Sequence, residues 1–123
     1  MDLQALLDSL PTPTEADMLA RRRLARRYCL VFLREGPASR DDADRNERLH
    51  QAHLEHLTKL QTLGKLVLNG PTLLDHDIVG VSVYAAEPEE ARQLAEADPK
   101  VQAGYLTVEV LPWMAVPGDT QTG

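Results

Sequence analysis

The run "YCLVFLREGP", from Tyr28 to Pro37, holds six consecutive uncharged residues before Arg34 and is closed by Gly36-Pro37. Successive side chains of a strand point to opposite faces, so a run apolar at both parities needs cover on both sides. It therefore predicts a central strand, and the remaining segments have to supply that cover.

The loop "EGPASRDDADRN" leads from this strand into a helix, with Asp41 or Asp42 suited to its start. At about 100° per residue, Ala52, His53, His56, Leu57, Leu60, Leu63 and Gly64 share one side with Leu49. Polar residues from Glu47 to Thr62 take the other side, and Leu54 is the one apolar misfit. His53 and His56 lie inside the apolar stripe, whereas His50 lies at its edge and reads as solvated or locally paired. Gly64 suits a helix stop. "KLVLNGP" is then a short strand ended by Asn69-Gly70-Pro71, and "IVGVSVYA" a strand on which Val79, Val81, Val83 and Ala85 form one strongly apolar face. "EPEEARQLAEA" predicts a second helix, with Pro88 in its first turn and Ala91, Leu94 and Ala95 facing inward. It ends near Asp98, because Pro99 disfavours helical geometry in the residue before it. "GYLTVEVLPW" is the last strand.

The order is βαββαβ, the split pattern of ferredoxin-like α+β folds with an antiparallel sheet. Residues 1–27 form an N-terminal helical extension, in which Pro11 and Pro13 interrupt any continuous helix and Thr14 caps a new one. Residues 28–113 are the core domain and residues 114–123 a tail with no core-forming pattern. Both helices would cover one face of the sheet. The first and third strands are apolar on both sides, so a second subunit is expected on the other face, giving a homodimer with two sheets packed together.

A formal net charge of -6 argues against a nucleic-acid partner, since such domains usually carry a basic surface. The local exception, "RRRLARR" from Arg21 to Arg27, reads as the solvated face of a short helix. Cys29 is the single cysteine, which rules out an intrachain disulfide, and its apolar neighbours make it a small buried hydrophobe. No secretory leader or membrane-spanning run is visible, so a cytoplasmic protein is expected.

Two motifs carry a resemblance. "AHLEHLTKLQTLGKLVLNGP" resembles the His-Leu, Gly and Gly-Pro pattern of the YciI-like, or YCII-related, family of the dimeric α+β barrel superfamily. "EEARQLAEADPKVQAG" is similar to that family's helix closing in Ala-Asp-Pro. The match covers about Tyr28 to Trp113. It implies a barrel-like dimer with a pocket between helices and sheet, and an active site built on a histidine and an aspartate, by position His53 and Asp98. Some similar proteins are lyase-like or dehydrochlorinating enzymes acting on small ring compounds. The extension to Arg27 and the acidic insert from Ala38 to Asn46 depart from the pattern and bear on the pocket mouth.

The fold itself allows the pair to meet. Antiparallel helices would set His53, early in its helix, near Asp98 at the end of the other. Imidazole has an unperturbed pKa of about 6.5, and a carboxylate on one ring nitrogen orients it as a general base. Ser82 and Thr72 are available hydroxyls without a nucleophile-elbow motif. Arg34 could bind an anionic substrate bidentately, and His56 and Ser82 would complete the substrate pocket. The expected partner is thus a small, anionic molecule, handled by lyase- or isomerase-like proton transfer with no cofactor. Two alternatives stay open: a binding or assembly module with a structural His-Asp pair, and a metal site drawing on His53, His56 and "DHD" at Asp75, His76 and Asp77.

Overall fold

The computed structural model describes residues 2–118. Helices α1 (Leu3–Asp8) and α2 (Glu15–Arg22) precede β1 (Arg26–Glu35), α3 (Ala43–Thr62), β2 (Leu66–Pro71), β3 (Ile78–Tyr84), α4 (Pro88–Glu96), α5 (Pro99–Gln102) and β4 (Leu106–Ala115). The chain divides into two compact units; Arg27–Met114 is one, and the segment up to Arg26 belongs to the other. Among the described residues no helix is long and apolar enough to cross a membrane.

Local chemistry accounts for the ends of these elements. Thr14 accepts the Asp17 N–H while the Asp17 carboxylate accepts the Thr14 N–H, a reciprocal cap on α2 that holds the Asp17 carboxyl below its ordinary value. Asp42 caps α3 by accepting the Arg45 N–H at 3.1 Å. Gly64, at φ 76°, turns the chain out of α3 into β2. The arginine-rich stretch is not one helical face: Arg21 and Arg22 close α2, whereas Arg26 and Arg27 already belong to β1.

The antiparallel sheet has the order β2-β3-β1-β4, which places β1 between β3 and β4, as a strand apolar at both parities requires. Register pairs Cys29 with Tyr84, Val31 with Ser82 and Leu33 with Gly80, so these six share one face. There Cys29, Val31, Leu66 and Tyr84 pack under Leu60 of α3 and Ala91 and Ala95 of α4. The two alanines let α4 approach closely, and burial pushes the Cys29 thiol up, with Glu87 adding to it. Val79, Val81 and Val83 take the opposite face with Leu30 and Phe32, all half-buried. The strongly apolar face of β3 is therefore the one the helices do not use. Leu68 and Leu111 extend it, 56% and 48% exposed.

Three features differ from the sequence reading. Because α3 starts at Ala43, His53 lies midway along it, not early. The second long helix does end near Asp98, at Glu96, but Asp98 then opens a separate short helix, α5, by accepting the Lys100 N–H at 2.9 Å. Finally, β4 continues through Pro112 to Ala115, so Met114 and Ala115 are strand; β4 is an edge strand, where a missing N–H is tolerated. Residues 119–123 of the expected tail lie outside the described residues.

Candidate functional site

A cavity of about 390 Å³ lies between α3 and the sheet, within the range of small-ligand pockets. Leu33, Leu57, Pro71 and Leu106 supply apolar wall, and Gly80 and Ser82 line it from β3. Those two short residues explain the space: they stand on the helix-covered face where larger side chains would fill it. Leu54, the apparent misfit of the stripe, also lines the cavity.

His53 Nδ1 lies 2.5 Å from Asp98 Oδ2, with side-chain exposures of 13% and 3%. A carboxylate only accepts, so Nδ1 donates to it, and in the neutral ring Nε2 is the nitrogen that keeps a lone pair. Asp98 Oδ1 meanwhile accepts the Lys100 N–H, so capping α5 fixes the carboxylate that faces His53. Among the described residues Nε2 makes no hydrogen bond, and no buried side-chain nitrogen or oxygen is left unpaired. Nε2 is thus accessible, on a residue that lines the cavity. Buried Tyr84 is pushed up to about 12 by burial first and by the Asp98 charge second.

A second pair adjoins the first. Lys100 Nζ donates to His50 Nδ1 at 2.9 Å, and the His50 and His53 ring centroids are 6.1 Å apart. Lys100 holds His50 below its ordinary value, with burial and His53 contributing less. Lys100 is itself lowered, by burial first and then by Arg40. Arg40 donates to the Tyr105 carbonyl at 2.7 Å, pairs with Glu35 at 3.1 Å, and sits 5.1 Å from the Tyr105 ring centroid. Tyr105 donates its hydroxyl to Asn46 Oδ1, and Asn46 donates to the Arg40 carbonyl. Gly36 makes this packing possible, since a Cβ there would stand 2.2 Å from the Gly104 carbonyl oxygen.

The residues singled out from the sequence separate into two groups. His53, Asp98 and Ser82 come together around the cavity, with Asp98 behind the wall. His56 and Arg34 do not line it. His56 Nε2 donates to the Leu94 carbonyl at 2.8 Å and ties α3 to α4. Arg34 is held by Asp77 at 2.6 Å and Glu109 at 3.0 Å; these contacts raise the guanidinium, with Glu109 the larger cause, and Arg34 in turn lowers Asp77. His76 turns to its own neighbours, Asp77 and the Ile78 N–H. Among the described residues no three His, Cys, Asp or Glu side chains converge as a metal set. His50, read from the sequence as solvated or locally paired, is instead joined to Lys100, 50 positions away. Arg40 and Lys100 were not singled out, because nothing local joins either to the histidines.

The chain is similar to known proteins over this same core. It is 32% identical over 89 residues to the Emericella nidulans protein described as derivative of benzaldehyde biosynthesis cluster protein C, covering 64% of this chain and 91% of the relative. Among solved structures it resembles 5-chloro-2-hydroxyhydroquinone dehydrochlorinase, TftG, of Burkholderia phenoliruptrix, in complex with 2,5-dihydroxybenzoquinone. That likeness has a TM-score of 0.52 and 24% identity, over 70% of this chain and 92% of the other, and it shows the fold. The model of the YCII-related domain matches residues 28–114, the span that holds the sheet, the cavity and the His53–Asp98 pair, and the chain belongs to the YCII-related family.

Proposed function

We propose that the chain is an acid-base enzyme acting on a small oxygenated ring compound, with His53 as the proton-transferring group and Asp98 as its orienting partner. The observation that carries this is the His53–Asp98 contact of 2.5 Å behind an accessible Nε2 in the wall of a cavity of about 390 Å³. With Nδ1 occupied, Nε2 takes a proton from the ligand, and the adjacent carboxylate stabilises the imidazolium that forms; the proton then returns to the ring, or, where the ring carries chlorine, passes to water as the C–Cl bond breaks and chloride leaves. Ser82 offers a hydroxyl to position the ring. The names of the similar proteins support a ring compound as the ligand class.

The competing reading, a binding module with a structural pair, draws on the second task of Asp98, the cap on α5. One experiment separates the two. Chloride release from 5-chloro-2-hydroxyhydroquinone and deuterium exchange at the ring carbons of 2,5-dihydroxybenzoquinone are measured for wild type and His53→Gln. Turnover lost in the variant is the expected result. Binding without turnover in the wild type would leave the module, and neither binding nor turnover would remove this ligand class.

We infer further that the working unit is a homodimer closed over the face of Leu30, Phe32, Val79, Val81 and Val83. Half-buried side chains of this kind, continued by exposed Leu68 and Leu111, make a face suited to a second sheet. Sedimentation equilibrium is expected to give twice the chain mass and Val81→Asp to give the monomer; a monomeric wild type would sink the inference.

A further inference from the structure

The charges around the cavity are not equally matched. Arg40 faces Glu35 at 3.1 Å, and Asp98 faces His53. Lys100 is different: it is half-buried, lines the cavity, and among the described residues has no carboxylate within ion-pair distance. Its ammonium donates to His50 Nδ1, an acceptor that is necessarily the neutral ring. An ammonium taken from water without a counter-ion is costly, and an anion entering the cavity would supply one.

We propose that the Lys100 ammonium, held by His50, is the recognition point for an ionised oxygen of the ligand, so that the cavity selects a ring compound bearing an acidic enol or phenol over its uncharged counterpart. This rests on the proposed small-molecule function and names its substrate class. Lys100 lies in the first turn of the helix that Asp98 caps and lines the same cavity as His53, so a ring anchored by an oxygen on Lys100 would bring its exchangeable proton toward Nε2. Burial and Arg40 lower Lys100 while Asp98 and Glu35 act in the opposite direction without prevailing, as expected of an ammonium short of negative neighbours. Arg34 cannot take this role, because two carboxylates already hold its guanidinium.

The test is titration calorimetry with two probes, the acidic 2,5-dihydroxybenzoquinone and its uncharged dimethyl ether. Lys100→Met is expected to weaken the acidic probe at least about tenfold, the loss of one charge-assisted contact, and to leave the ether unchanged, while Lys100→Arg restores most of the loss. Circular dichroism checks that the variants fold. Should Lys100→Met not fold, Lys100→Gln and a salt titration of the wild type carry the test, with salt weakening only the acidic probe. Equal losses of both probes, or an acidic probe bound within about twofold of wild type by the variant, would overturn the subsite alone. A wild type that binds neither probe would remove the small-ring reading and the subsite with it.

Discussion

Arg34, Asp77 and Glu109 form one charged cluster at the end of β1, and His53 and His50 of α3 form another with Asp98 and Lys100 of the α5 turn. The first has short, well-formed ion pairs, yet its side chains are 36%, 59% and 53% exposed. The second buries Asp98 at 3% and His53 at 13% and faces a cavity. The difference teaches where charge has consequences. In water, two pairs on one guanidinium are screened and saturated. In the wall of a cavity, each group depends on the few partners packed against it, and an unmatched group is available to a ligand.

Substitutions can break or sharpen this contrast. The largest effect is expected from Asp98→Ala, which strands His53 and uncaps α5 together: a loss of about 3 kcal/mol in urea unfolding. A loss near zero would place the pair in the same class as the Arg34 cluster. Next, His53→Gln should lower turnover of a hydroxyquinone substrate at least about 100-fold in steady-state kinetics while the protein stays folded. Gly36→Ala forces the segment leading to Arg40 away from Gly104 and should cost about 2 kcal/mol in the same unfolding measurement. An unchanged midpoint would mean that this segment shifts freely and does not hold Arg40 at the cavity.

Smaller effects test the electrostatics directly. Lys100 disfavours the charged form of His50, so Lys100→Met should move His50 titration upward, toward 6.5, in an NMR pH series. A downward or absent shift would contradict the contact. The smallest effect belongs to the other cluster: Arg34→Met should leave both the unfolding midpoint and probe binding within measurement error. Weakened binding there would return Arg34 to the site.

Much of the fold was legible because periodicity is written locally. The apolar run of β1 announced a central strand, the stripe of α3 announced its buried side, and the βαββαβ order left few ways to arrange them. The His53–Asp98 contact was legible through the family motifs; the helix ends pointed to the same pair, although His53 lies midway along α3 and Asp98 opens α5. The end of the last long helix was legible too, through Pro99, but the second role of Asp98 was not. A proline restricts its predecessor without saying that a new helix begins there.

By itself, the sequence determined which segments are strand and helix, which faces are apolar, and that one cysteine and scattered histidines would have to serve without a disulfide framework. Only the tertiary structure decided that Gly80 and Ser82, not the valines, lie under α3, that Arg34 is spent on Asp77 and Glu109, and that Lys100 stands at the cavity beside His50. The physical reason is range. Backbone preference and hydrophobic period act over a few residues, whereas which charge meets which partner, and whether water screens them, depends on segments 50 positions apart being packed together.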